Sequence, residues 1–101
     1  MLARIWRGET PAEKGDAYLA FLEQSGLKDY RAVPGNRGVW VLRRERDGRA
    51  EFTLISLWES LEAMKGFAGD DYMKSVYYPE DKDFLLDFAP EVEVYDVARV
   101  I

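Results

Sequence analysis

The sequence predicts an α+β domain in which four antiparallel strands and two helices follow the order βαββαβ. Three features carry this prediction: an apolar, β-compatible opening segment, two longer strand-like runs joined by Asp47-Gly48, and helical spacing of apolar residues between strands.

Residues 2–7 form the first strand. Thr10, Pro11 and Glu13 follow as an N-cap hydroxyl, a proline at the first helical position and an acid three residues after the cap. The helix they start carries Tyr18, Phe21, Leu22 and Ser25 at helical spacing, and Gly26 stops it. Residues 27–34 form a loop, with Pro34-Gly35-Asn36 marking a turn. The second strand spans residues 37–46, Asp47-Gly48 makes a hairpin, and the third strand returns over residues 49–58. Ser60 caps a second helix bearing Leu61, Met64 and Phe67. Broken near Gly66 and Gly69, it restarts at Asp70, carries Tyr72, Met73, Val76 and Tyr77, and ends at Pro79. Residues 80–90 form an acidic insert anchored by Phe84, Leu85 and Phe88, and residues 91–101 supply the last strand.

This is the split βαβ order of ferredoxin-like folds, a sheet arranged 4-1-3-2 with both helices on one face. A sheet with one wet face alternates apolar and polar residues, and these strands do not. Phe52, Leu54 and Trp58 point one way while Ile55 and Leu57 point the other; Val39 and Val41 oppose Trp40 and Leu42. In the last strand Val92, Val94, Ala98 and Val100 oppose Tyr95, Val97 and Ile101. Two helices on one face cannot cover the other, whose apolar patch exceeds the roughly 300–600 Å² usual for a monomer. Hiding about 800 Å² per subunit, at about 25 cal/mol per Å², is worth roughly 20 kcal/mol before association costs. A homodimer formed through the sheet faces is the simplest remedy.

Length fits one domain over residues 1–101, and 48% hydrophobic residues exclude a disordered chain. A net charge of −5 argues against nucleic acid, because phosphate neutralisation needs clustered Lys and Arg. No apolar run suffices to span a membrane, and residues 1–7 lack the apolar centre of a signal peptide. A cytoplasmic protein is expected, in keeping with zero cysteines. Zero histidines remove the usual neutral-pH base and the His ligand for metal or haem. Zero cysteines remove the thiolate nucleophile and the thiolate zinc site.

The strand-to-helix segment Phe52-Thr53-Leu54-Ile55-Ser56-Leu57-Trp58-Glu59-Ser60, followed by Leu61-Glu62-Ala63, resembles the antibiotic biosynthesis monooxygenase family. So do Pro34-Gly35-Asn36-Arg37-Gly38 with the run Val39 to Arg44, and Tyr77-Tyr78-Pro79-Glu80-Asp81. The resemblance extends over nearly the whole chain. It implies a dimeric α+β barrel with a pocket in each subunit between the sheet and the helices. Characterised relatives fall into two main groups. One oxidises phenolic or quinol-like aromatics with molecular oxygen and no cofactor; the other binds and cleaves haem.

A cofactor-free reaction suits a chain without His or Cys, because a deprotonated electron-rich aromatic can itself pass an electron to oxygen. No cofactor is therefore expected, and the partner is a small aromatic compound. The resemblance makes Trp58 a pocket residue, as the family's strand-end Trp is. Tyr72 and Tyr77 would hydrogen-bond a phenolate as catalytic groups, while Trp6, Asn36 and Arg37 would bind the substrate. The base must be a carboxylate raised by burial, and spacing singles out none.

Structural roles are open to the same residues. Trp58, Trp6 and Trp40 suit a core; Tyr72 and Tyr77 can pack a helix with hydroxyls in solvent; Asn36 and Arg37 can serve the turn into the second strand. Glu80, Asp81, Asp83 and Asp87 match no calcium-loop spacing and read as a solvated loop without a metal. Haem-cleaving relatives take an axial His from the second helical region, where this chain offers only Tyr77 and Tyr78. Three functions follow: a cofactor-independent monooxygenase, a non-catalytic small-molecule-binding dimer, or a structural or interaction role.

Overall fold

Asp47 and Gly48 both adopt positive φ, 56° and 76°, as a tight two-residue hairpin turn requires. In the computed structural model, which describes residues 1–101, they join β2 (Asn36–Arg46) to β3 (Arg49–Trp58). That ladder runs from Arg46 opposite Arg49 to Asn36 opposite Trp58, with one irregularity between Asn36 and Gly38. On the other side of β3 lies β1 (Leu2–Pro11), paired antiparallel from Leu2 opposite Trp58 to Pro11 opposite Arg49. The short β4 (Glu93–Asp96) pairs with the first residues of β1, so the order β2-β3-β1-β4 is the expected one.

The period-two alternation of a pleated sheet sorts the side chains. Ala50, Phe52, Leu54, Ser56 and Trp58 of β3 are buried, and Arg4, Trp6 and Thr10 of β1 share their face. Three helices, α1 (Gly15–Gln24), α2 (Gly26–Ala32) and α3 (Leu61–Ala68), cover it with Tyr18, Leu22, Tyr30 and Met64. Leu85 and Val92 complete the same core. The opposite face carries Trp40, 62% exposed, Leu42, 48% exposed, and Tyr95, 52% exposed, beside half-buried Ile5, Ile55 and Leu57. No helix is long and apolar enough to cross a membrane.

Four local expectations are corrected. Thr10 and Pro11 do not start a helix but extend β1: Thr10 is fully buried opposite Ala50, and Ala12 N–H donates to Gly48 O at 2.9 Å. Strand pairing outweighs the local capping pattern, and a single 3₁₀ turn, Ala12–Lys14, precedes α1. Gly26 does not release the chain into a loop; it opens α2, which buries Tyr30 to 5% exposure.

The third concerns the second helical stretch. Ser60 caps α3 as expected, its Oγ accepting from Ala63 N–H at 3.2 Å, but the helix ends at Gly69 and does not restart over residues 70–77. There the backbone bonds laterally to the segment before β4: Ser75 N–H to Pro90 O at 3.0 Å, and Val92 N–H to Met73 O at 2.8 Å. Those groups cannot also serve a helical ladder. The last strand is likewise four residues rather than eleven, with Val100 and Ile101 exposed.

Candidate functional site

A small cavity of about 30 Å³ lies between the covered sheet face and residues 76–81, with room for about one or two water molecules. Strand residues Arg4, Trp6 and Leu54 form its floor. Tyr18, Tyr30 and Phe67 come from helices, and Tyr77 and Asp81 from the irregular segment above.

Period two places Arg4 on the same face as Trp6, which puts a guanidinium 2% exposed inside the core. Its Nε donates to Tyr72 O at 3.3 Å and its Nη2 to Lys74 O at 2.7 Å, so it buckles residues 72–74 to β1. The Phe67 ring lies beneath it, 5.6 Å from guanidinium carbon to centroid. Burial lowers the Arg4 pKa, with Tyr30 opposing the change; a guanidinium nevertheless stays protonated. Burial likewise raises the Tyr30 hydroxyl, with Arg4 pulling the other way. Arg4 takes part in no ion pair.

Asp81, 3% exposed, lines the same cavity. The 3₁₀ turn Pro79–Asp83 holds it there: Oδ2 accepts from Tyr78 N–H at 2.7 Å and Oδ1 from the Tyr18 hydroxyl at 3.1 Å. Burial pushes its carboxyl up, Glu80 adds to the rise, and the two donors oppose it. The Tyr18 hydroxyl is pushed far up, first by burial and then by the Asp81 charge. Asp81 also makes no ion pair.

Trp6 Nε1 donates to the Tyr77 hydroxyl at 3.2 Å, and that hydroxyl donates to Ala89 O at 2.6 Å. The indole lies along the strand over Gly8, where a Cβ would come within 2.3 Å of the ring. Only glycine leaves that space.

Of the residues singled out in the sequence, Trp6 and Tyr77 therefore meet at the cavity and the others stand apart from it. Trp58 is wholly buried behind the lining, stacked on Phe67 with centroids 6.0 Å apart, and its Nε1 donates to Ser56 Oγ at 2.9 Å. Tyr72 offers Arg4 its carbonyl, while its ring lies 5.9 Å from Lys65 Nζ. Asn36 shapes the entry to β2, its Oδ1 accepting from Gly38 N–H at 3.1 Å, and Arg37 pairs with Glu59 on the surface. Sequence reasoning missed Arg4, Tyr18, Tyr30 and Asp81. Arg4 carried a usable signal, a charge in register with Trp6 on an apolar strand.

A second recess, about 810 Å³ and open, crosses the uncovered sheet face. Ile5, Leu42 and Ile55 line it, with Arg44 and Arg49 held by Glu51 and Glu9. No group of three or more acidic side chains is arranged to hold a metal ion.

The fold recurs in solved structures. A proposed antibiotic biosynthesis monooxygenase from Nitrosomonas europaea superposes with a TM-score of 0.67 at 15% identity, covering 98% of this chain and 100% of that one. Rv0793 from Mycobacterium tuberculosis superposes at 0.58 with 20% identity, covering 99% and 95%. No curated protein matches by sequence. The family model for antibiotic biosynthesis monooxygenases matches residues 1–77, which include Arg4, Trp6, Tyr18, Tyr30 and Tyr77 but not Asp81. The chain belongs to the antibiotic biosynthesis monooxygenase family.

Proposed function

We propose that the protein is a cofactor-independent monooxygenase that oxidises a small phenol- or quinol-like compound with molecular oxygen at the Arg4 cavity. The observation that carries this reading is the buried Arg4 guanidinium, which has carbonyl and aromatic neighbours but no carboxylate partner. An uncompensated buried cation favours an anion beside it, and a phenolate is the electron-rich form that reduces oxygen. The substrate supplies all the electrons: one oxygen atom enters it and the other leaves as water. Trp6 and Tyr77 are the contact residues; Trp58 and Tyr72 support them from behind. A ring cannot enter about 30 Å³, so binding requires residues 76–81 to lift from the sheet.

An oxygen electrode with a panel of quinols and anthrones tests the activity. Uptake with stoichiometric oxygenated product supports it; no uptake across the panel by folded protein removes it. The small volume of the cavity favours a second reading, a non-catalytic binder, in which ligand raises the melting temperature without turnover.

We place the working protein in the cytoplasm as a homodimer joined through the face that carries Trp40, Leu42, Ile55 and Leu57. Carboxylates on that face would be desolvated without partners. The double variant Trp40→Glu, Leu42→Glu is therefore expected to sediment at the mass of one chain where the parent sediments as two. A parent of single-chain mass at high concentration would refute the pairing.

A further inference from the structure

The Arg4 guanidinium and the Tyr30 ring sit against the same side chain, Phe67: one lies 5.6 Å from its centroid, the other stacks on it at 4.0 Å. Both groups line the cavity of about 30 Å³, and the Tyr30 hydroxyl feels the Arg4 charge and bonds to the guanidinium. A guanidinium only donates, so in that contact the Tyr30 oxygen accepts and its own proton is left for another acceptor. Arg4 is not exhausted either, since Tyr72 O and Lys74 O take only two of its five N–H groups. Packing fixes the Tyr30 ring, which is 5% exposed and held against both Phe67 and Trp58.

Resting on the function proposed above, we infer that the Tyr30 hydroxyl donates to the substrate oxyanion beside Arg4, so that the site holds a phenolate oxygen-first between one cation and one neutral donor. A space of about 30 Å³ is small enough that an oxygen atom seated in it lies near both groups. The substrate ring takes the room opened when residues 76–81 lift. Burial pushes the Tyr30 proton affinity up and Arg4 pulls it back. Burial prevails, so Tyr30 stays protonated and able to donate, while the adjacent cation polarises its O–H and strengthens the bond it gives. The other groups facing Tyr30 are Ser56 of β3, Tyr18 of α1 and Tyr78. The ligand class follows: a compound with a single acidic O–H, a phenol or an enol, taken up as its monoanion with the proton left to solvent. A second negative charge would find no second cation on the lining and would face Asp81.

The probe is 4-nitrophenol, whose phenolate absorbs in the visible while the neutral form does not; 4-nitroanisole, which cannot ionise, is the control. Each is titrated with the whole protein, and the ionisation of bound 4-nitrophenol is followed by its visible band as pH is varied. Bound to the parent, it is expected to ionise at lower pH than in solution. Tyr30→Phe keeps the stacking and removes only the donor. Its bound phenol is expected to ionise about one pH unit higher than in the parent, with phenolate affinity about tenfold weaker and 4-nitroanisole affinity unchanged. An ionisation unmoved in Tyr30→Phe, or a 4-nitroanisole affinity that falls in the same proportion, overturns the donor role of Tyr30 and leaves Arg4 as sole holder of the anion. The parent gives a reading that needs no variant: no binding, or ionisation no easier than in solution, overturns the anion site and this inference with it. A Tyr30-dependent shift without oxygen uptake supports the donor pair and removes the monooxygenase reading alone.

Discussion

Replacing Arg4 with alanine is expected to destabilise the protein by about 3 kcal/mol, since two part-buried carbonyls lose their donor and a large buried side chain leaves the interior. For a domain near this size that lowers the melting temperature by roughly 15 °C. The lost donors are specific: Tyr72 O at 3.3 Å and Lys74 O at 2.7 Å tie residues 72–74 to β1, and residues 76–81 above the cavity follow directly. Hydrogen exchange should therefore rise first in residues 70–92 and least in β3. Relief of the buried charge offsets part of the loss in either variant, and Arg4→Met, which keeps most of the volume and leaves a smaller cavity, should lose less stability than Arg4→Ala. Both variants should lose binding of a phenolate such as 4-nitrophenolate, followed by its visible absorbance, because neither supplies a cation. Retained phenolate binding by folded Arg4→Met would show that Arg4 is a buckle for the segment and nothing more.

How much of this was legible in the sequence depends on which interactions are local. The hairpin at Asp47-Gly48 needs only two residues tolerant of positive φ, and the face assignment of Phe52, Leu54 and Trp58 against Ile55 and Leu57 needs only period two. Both were readable, and with them the four-stranded order. The stretch from Asp70 to Tyr77 was not, because its helical spacing competes with hydrogen bonds to residues 90–92, which the chain reaches only after folding. Thr10 illustrates the same contest, a good cap by itself and a buried strand residue once Ala50 lies opposite. The site divides likewise. Trp6 and Tyr77 stood out as aromatics with polar handles. Asp81 was indistinguishable from Glu80 and Asp83 in a run of acids until the Tyr18 hydroxyl and the Tyr78 amide selected it.

Trp58 separates a packing role from a catalytic one. Its side chain is wholly buried between Phe67 and Tyr30, each ring centroid 6.0 Å away, and truncation to alanine removes the largest fully buried side chain of the core. Trp58→Ala is expected to cost about 3–5 kcal/mol, a large share of the roughly 5–15 kcal/mol that holds a domain together. Calorimetry should show a melting point lowered by roughly 20 °C, or no cooperative transition at all. Trp58→Phe keeps the ring stacking and loses the indole donor to Ser56 Oγ, so its cost should be nearer about 1–2 kcal/mol. Because Trp58 stands behind Tyr30 and Phe67 rather than on the cavity lining, Trp58→Phe should leave oxygen uptake per folded molecule close to that of the parent, with kcat and KM moving together only slightly. Uptake abolished in a folded Trp58→Phe variant would mean that the lining opens further than residues 76–81 and that the indole reaches the substrate. The distinction is physical: a packing residue moves the melting curve and spares turnover, whereas a contact residue changes turnover in molecules that remain folded.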